Sequence, residues 1–180
     1  MPSLVLPDQR YRRSFLAAMA EFRAEGRGAE DDNSTTGSEL RQWPGVWDSA
    51  AGFADYLAVL RNEADPNGTW PPGYVQCTTW WWVDGDEYLG RIALRHTLTD
   101  RLRAHGGHIG YDVRPTARRR GYATAMLREV LPLALAFGIT PAALLTCDSI
   151  NVASRKVIET IGGVLADDVD GQRRYWIPTG

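Results

Sequence analysis

Val113-Arg114-Pro115-Thr116-Ala117-Arg118-Arg119-Arg120-Gly121-Tyr122-Ala123-Thr124 joins the end of a strand to the start of the clearest helix in the sequence. Pro115 blocks continuation of the strand, and three consecutive arginines are expected in the first helical turn. Cations there oppose the helix dipole at a cost of ~0.3–1 kcal/mol each. An anion held jointly by free backbone N–H groups and arginine side chains offsets that cost. Gly121, without a Cβ, lets a bulky anion approach the backbone, and Ala123 keeps the same surface small. The anion implied is a phosphate or pyrophosphate, carried by a nucleotide, a coenzyme or a nucleic acid. The alternative is a solvated basic helix start with no ligand. No Gly-x-x-x-x-Gly-Lys-Ser/Thr or Gly-x-Gly-x-x-Gly pattern points to a nucleoside triphosphate or a dinucleotide.

Upstream of this stretch, Gly107–Val113 reads as a strand. Downstream, apolar residues at Ala123, Met126, Leu127, Val130, Leu131 and Ala134 follow helical spacing to Gly138, with a kink expected at Pro132. Ala142–Thr146 is a buried strand, Asn151–Ile161 a helix stopped by Gly162-Gly163, and Gln172–Ile177 a last strand. Tyr74–Val83 and Glu87–Thr97 are strands joined by the hairpin signal Asp84-Gly85-Asp86. Nearer the N-terminus, Ser3–Leu6 is a short strand, and Asp8–Glu25 and Ser49–Asn62 are helices. Gly26–Ser38 reads as an exposed acidic loop. The order β–α–α–β–β–β–α–β–α–β gives an α/β (α+β) fold with a mixed sheet. A single domain over residues 1–180 is expected, with helices and loops of residues 1–72 against a core of 73–180.

The 180 residues carry 20 Lys+Arg and 22 Asp+Glu, a net charge of −2, which excludes a protein held to polyanions by bulk charge. The charge is uneven in position, with five arginines and no acid between Val113 and Arg128. All but one of the basic residues are Arg, Lys156 being the exception, a bias expected of a GC-rich bacterial coding sequence. Two cysteines, Cys77 and Cys147, are too few for a disulfide framework or a thiolate zinc site. No apolar run approaches a membrane span, and arginines interrupt the early apolar stretch where a signal peptide would lie. A cytoplasmic protein is expected.

Arg118-x-x-Gly121-x-Ala123 resembles the Gln/Arg-x-x-Gly-x-Gly/Ala signature of the GNAT superfamily of N-acetyltransferases. The segment from Asn151-Val152-Ala153-Ser154 to Gly162-Gly163 is similar to that superfamily's second block. Gly107-His108-Ile109-Gly110-Tyr111 resembles a branch of bacterial predicted acetyltransferases. The resemblance implies a mostly antiparallel sheet splayed between its central strands and acetyl transfer from acetyl-CoA to a small-molecule or peptide amine. It places the pyrophosphate on Arg118, Arg119, Arg120, Gly121, Tyr122, Ala123 and Thr124. It runs the pantetheine arm past Tyr111, Asp112 and Val113, with Asn151 and Ser154 alongside.

Many members of the superfamily carry a tyrosine seven residues after the asparagine, where this chain has Ile158. Tyr111 is the first substitute as general acid, and His96, at the end of its strand, is the first candidate base. His105-x-x-His108 lacks a third ligand, so no metal is expected. Trp80-Trp81-Trp82 resembles a base-stacking platform, but neighbouring strand residues point to opposite faces, which favours packing. An exposed tryptophan there would mark the acceptor pocket or a homodimer contact. The competing functions are an acyl-CoA sensor or scaffold without turnover, and a nucleic-acid module using Arg118–Arg120. The second conflicts with the −2 charge, so no nucleic-acid partner is expected.

Overall fold

A computed structural model describes residues 1–180. The strands are β1 (Ser3–Val5), β2 (Cys77–Asp84), β3 (Glu87–Arg95), β4 (Ile109–Val113), β5 (Ala142–Asp148), β6 (Val164–Val169) and β7 (Gln172–Pro178). The helices are α1 (Arg12–Ala24), α2 (Thr35–Gln42), α3 (Ala50–Ala64), α4 (Asp100–Ala104), α5 (Tyr122–Ala136) and α6 (Val152–Thr160). The strands form two antiparallel sheets, ordered β1-β2-β3-β4 and β5-β7-β6.

The first sheet separates two apolar cores. On one face, α1 and α3 pack around Phe15, whose ring lies 5.0 Å from Trp47, 5.1 Å from Trp81 and 5.3 Å from Phe53 and Tyr88. Truncating a wholly buried ring of this kind costs about 3–5 kcal/mol. On the other face, Ile92, Leu94 and Ile109 meet Met126, Leu127, Val130 and Ala134 of α5. That core continues under the second sheet through Leu145, Tyr175 and Ile177. The three tryptophans divide as strand alternation requires. Trp81 fills the first core, while Trp82 joins the second, with its ring 6.3 Å from Tyr122. No base-stacking platform forms.

No ladder joins β4 to β5. Backbone contact between the sheets is made at the entry to β4, where His108 N–H donates to the Leu144 carbonyl at 2.7 Å. In return, Leu144 N–H donates to His108 Nδ1 at 2.9 Å. Gly107 makes this approach with φ +60°, and a Cβ there would lie 2.3 Å from the Leu144 carbonyl oxygen. From that clasp the two strands part, so the expected splayed sheet is present.

Four elements depart from the sequence reading. Part of the stretch read as loop, Gly26–Ser38, enters helix α2, capped by Ser34, whose hydroxyl accepts from Gly37 N–H at 3.0 Å. Residues Asp100–Ala104 form a short helix, and Val164–Val169 forms an edge strand on β7. The helix expected from Thr116 starts at Tyr122, after a 3-10 turn at Pro115–Ala117, and runs through Pro132 to Ala136.

Candidate active site

The strand-to-helix connection is anchored to α1 by carboxylates. Arg114 pairs with Glu21, and Thr116 donates to the same carboxylate from its N–H at 3.1 Å and its hydroxyl at 2.9 Å. Burial raises the Glu21 pKa, but the hydrogen bonds from Arg114 and Thr116 outweigh it and hold the group below its usual value. Arg118 grips both oxygens of Glu25, with Nη1 at 2.7 Å, and its Nε donates to the Val113 carbonyl at 3.2 Å. Arg119 and Arg120 are exposed and have no acidic partner.

The three arginines therefore do not occupy the first helical turn. They lie in the loop before it, because Arg119 (φ 63°) and Gly121 (φ 80°) both take left-handed conformations that end one turn and open the next. Gly121 caps α5 without any side-chain hydrogen bond. As a result the six successive N–H groups of Arg119 to Thr124 have no acceptor in the protein. A Cβ on Gly121 would meet nothing within 4 Å, so the space above these donors is open. Orphan donors at a helix N-terminus, flanked by two guanidinium groups without an acidic partner, are chemically able to accept an anion. Of the named residues in this loop, Tyr122 packs inward on Trp82, and Ala123 and Thr124 form the first turn of α5.

β4 supplies the second half of the site. Arg95 N–H donates to the His108 carbonyl and Arg114 N–H to the Leu89 carbonyl, so even-numbered residues of β4 bond to β3. By antiparallel alternation, Ile109, Tyr111 and Val113 turn their N–H and C=O groups to the gap beside β5, where only the Val113 carbonyl is taken, by Arg118 Nε. This largely unpaired edge leads directly to the loop of free N–H donors. A linear amide-containing chain matches such an edge.

Tyr111 projects toward α6, where its hydroxyl meets Ser154 Oγ at 2.7 Å. Burial pushes its pKa up to about 12 against the opposing hydrogen bond from Ser154, so it holds its proton at neutral pH. Asn151 caps the same helix, its side-chain oxygen accepting from Ser154 N–H at 3.0 Å. Tyr111, Ser154 and Asn151 thus form one connected group across the gap. Ile158 is wholly buried in the second core. The Asp112 side chain points to the other face, accepting from Arg27 at 2.8 Å and from the Thr36 hydroxyl at 2.7 Å.

His96 is not brought to this group. Tyr111 lies opposite Ile92, so four strand positions, about 13 Å at ~3.3 Å per residue, separate it from His96. The His96 ring stacks near Phe137, with centroids 4.2 Å apart, and Nε2 meets Thr78 Oγ1 at 2.9 Å. His108 is buried in the clasp between the sheets, and burial, with nearby Arg103 and Arg95, lowers its pKa to about 4. No group of three or more His, Cys, Asp or Glu side chains is arranged to hold a metal ion. No helix is long and apolar enough to cross a membrane.

Sequence reasoning missed the acids that hold the loop. Glu21, in the last turns of α1, and Glu25, its C-cap, recur four residues apart and so fall on one side of the helix end. Acids at that spacing, combined with a distant arginine run, are the signal that could have found them.

A family model described as an acetyltransferase (GNAT) domain matches residues 31–164. No curated protein matches the chain. Among solved structures, Mycobacterium smegmatis RimJ in complex with CoA-disulfide superposes with a TM-score of 0.68 at 17% identity, covering 98% of this chain and 81% of that one. The ribosomal-protein-S5-alanine acetyltransferase of Vibrio fischeri gives 0.67 at 13% identity, covering 99% and 93%. The microcin C7 self-immunity acetyltransferase MccE, in complex with acetyl-CoA and AMP, gives 0.62 at 12% identity, covering 98% and 92%.

Proposed function

Because the chain belongs to the GNAT acetyltransferase family, we propose that it transfers an acetyl group from acetyl-CoA to a primary amine of a small molecule or peptide by direct attack. The observation that carries this reading is the continuity of two sets of free backbone groups. The six N–H donors of Arg119–Thr124 would take the pyrophosphate, and the unpaired edge of β4 the pantetheine arm. Arg119 and Arg120 add the only unpaired charge of the loop, while Arg118 serves by fixing the loop to Glu25. The acceptor enters from the side built by residues 1–72, and the enzyme works in a bacterial cytoplasm. Solved relatives act on ribosomal proteins, which is consistent with a peptide amine among the candidate acceptors.

For the chemistry, a backbone N–H of the β4 edge polarises the thioester carbonyl. The amine nitrogen attacks that carbon, the C–N bond forms as the C–S bond breaks, the Tyr111 hydroxyl gives its proton to the departing thiolate, and the proton lost by the nitrogen returns through solvent to Tyr111. Ser154 orients that hydroxyl from α6, the helix on which many family members carry their own tyrosine. Ile158 at that tyrosine position favours a second reading, acyl-CoA binding without turnover.

Coenzyme A titration followed by melting temperature, together with thiol release from acetyl-CoA in an amine panel, tests both readings. Turnover of any amine supports transfer. A melting shift without turnover supports the sensor, and no shift in folded protein refutes both.

A further inference from the structure

The face of the first sheet that carries α2 and α3 holds two opposite charges that have not closed on each other. Cys77 and Arg95 are cross-strand partners and share a face at the sheet end nearest the entry to β4. The last turn of α3 is tied to this end, because Gln76 Nε2 donates to the Ala64 carbonyl at 2.8 Å. Glu63 continues the inward stripe Phe53, Tyr56, Leu57 and Leu60 of α3, so its side chain faces the same sheet end.

Arg95 lies over β4. Its Nη1 donates to the Gly106 and Gly107 carbonyls, both at 3.2 Å. A Cβ on Gly110 would sit 3.7 Å from that nitrogen and 3.4 Å from Thr35 Oγ1. The Nε and Nη2 groups of Arg95 have no acceptor in the protein and stay open to solvent. Arginines elsewhere on this face each have an acid: Arg91 has Glu39, Arg27 has Asp112, and Arg114 has Glu21. Arg95 has none. Burial pulls its pKa below the usual arginine value. Burial likewise lifts the Glu63 carboxyl, with Glu39 adding to the rise and Arg91 and Arg95 opposing it. The Glu63 carboxylate accepts no hydrogen bond and makes no ion pair. Two half-buried charges of opposite sign cost stability apart and recover it when paired. Held apart, they fit a molecule that carries the complementary charges itself.

We infer that Arg95 and Glu63 form the receiving site for a zwitterionic acceptor, a free amino acid whose carboxylate binds Arg95 and whose ammonium binds Glu63. This rests on the acetyl-transfer reading. A coenzyme arm that enters at the Arg119–Thr124 loop and runs back along β4 brings its acyl end toward Gly110, beside Arg95. The ammonium passes one proton to the Glu63 carboxylate. The neutral nitrogen then attacks the thioester carbon, a C–N bond forms and the C–S bond breaks. Tyr111 protonates the thiolate, the second amine proton passes through solvent to restore Tyr111, and the Glu63 carboxyl releases its proton to solvent as the product leaves. The Arg95 fork sets the distance between carboxylate and amine, which makes it the specificity-determining residue.

The test uses the full chain with free L-amino acids, the corresponding amino-acid amides and simple alkylamines, followed by thiol release and by melting of the coenzyme A-loaded protein. A free amino acid is expected to exceed its amide by about 10²-fold in kcat/KM, since the amide leaves the guanidinium unpaired. Arg95→Met should erase that preference, and Arg95→Lys should restore part of it. Glu63→Gln should lower kcat by about 10²-fold and flatten the acid limb of the pH–rate profile. That limb is shaped by the groups facing Glu63, namely Glu39 on α2, Arg91 and Arg95 on β3, and Cys77 on β2. The coenzyme A melting shift should persist in all three variants.

A millimolar amino-acid shift that Arg95→Met abolishes, without turnover of any amine, would keep this site and refute the transfer reading. Equal rates for acid and amide would overturn the Arg95 assignment. An unchanged pH profile in Glu63→Gln would overturn the Glu63 assignment. Absence of any amino-acid shift or turnover in folded wild-type protein would overturn the site as a whole.

Discussion

Gly121→Glu tests the phosphate-binding role proposed for the loop. Gly121 has φ 80°, so any L-residue there pays about 1–2 kcal/mol for the left-handed conformation. At ~2–4 °C per kcal/mol for a chain of this size, the variant should melt a few degrees lower and remain folded. The new Cβ meets no protein atom within 4 Å, so nothing else is displaced. Its carboxylate would stand about 5 Å from a bound phosphate, and at an effective dielectric of ~20 that is about 3 kcal/mol of repulsion for each unit charge. At 1.4 kcal/mol per tenfold, coenzyme A affinity should fall by roughly two orders of magnitude. Gly121→Ala carries the same backbone strain without the charge and serves as the reference. Isothermal titration with coenzyme A measures both. If Gly121→Glu is folded and binds within about threefold of Gly121→Ala, the pyrophosphate does not sit on Arg119–Thr124 and the reasoning fails.

Other consequences follow from single contacts. His108 has a folded pKa of about 4 against the ordinary 6.5, so the unfolded chain binds more protons between those values. Stability is therefore full above pH 6.5 and declines by about 2–3 kcal/mol as pH falls toward 4. Melting curves at pH 7 and pH 5 should show the decline in wild type and a smaller one in His108→Gln. Asp112→Ala leaves the partly buried Arg27 guanidinium with Asp32 at 3.0 Å and the more distant Glu25 at 3.9 Å, and should cost about 2–3 kcal/mol in urea unfolding. Thr36→Val removes one neutral donor from the same carboxylate and should cost about 1 kcal/mol. Tyr111→Phe should lower kcat for acetyl transfer by about 10²-fold while coenzyme A affinity is held, as steady-state thiol release and titration would show. An unchanged kcat would remove Tyr111 from the proton path.

The helices with apolar stripes were legible in the sequence because burial wrote their period. Phe15, Ala18, Met19 and Phe22 in α1, and Met126, Leu127, Val130 and Ala134 in α5, are the residues that face the cores. Helix α2 was not legible for the same physical reason. Thr35–Gln42 has one apolar anchor, Leu40, and is held to the sheet by polar contacts of Thr36 to Asp112 and Glu39 to Arg91. Those partners lie more than fifty residues away in sequence, where no local pattern reaches. Strand β6 was missed because Val164, Leu165 and Val169 are exposed on an edge, so alternation carried no burial signal.

In the site, the strand-to-helix loop of Arg118–Thr124 was readable from charge and glycine placement. The division of labour among its arginines was not. Glu25 claims Arg118, and the left-handed turn at Arg119 moves the run out of the helix. The separation of His96 from Tyr111 was not readable, because proximity along an antiparallel pair depends on register, and register emerges only when strands are paired.

The missing ladder between β4 and β5 gives the molecule an unusual mechanical character. Two half-sheets are clipped together at His108–Leu144 and bridged again, on the α5 and α6 side, by the Tyr111–Ser154 contact. A coenzyme arm lying on the free edge of β4 would act as a borrowed rung, adding to each loading cycle what an eighth strand would contribute permanently. The fold would then stiffen when charged with coenzyme and relax on its release. At a hundred times the dissociation constant that linkage amounts to about 2.7 kcal/mol, so the lifetime of the protein in the cell would follow its coenzyme supply.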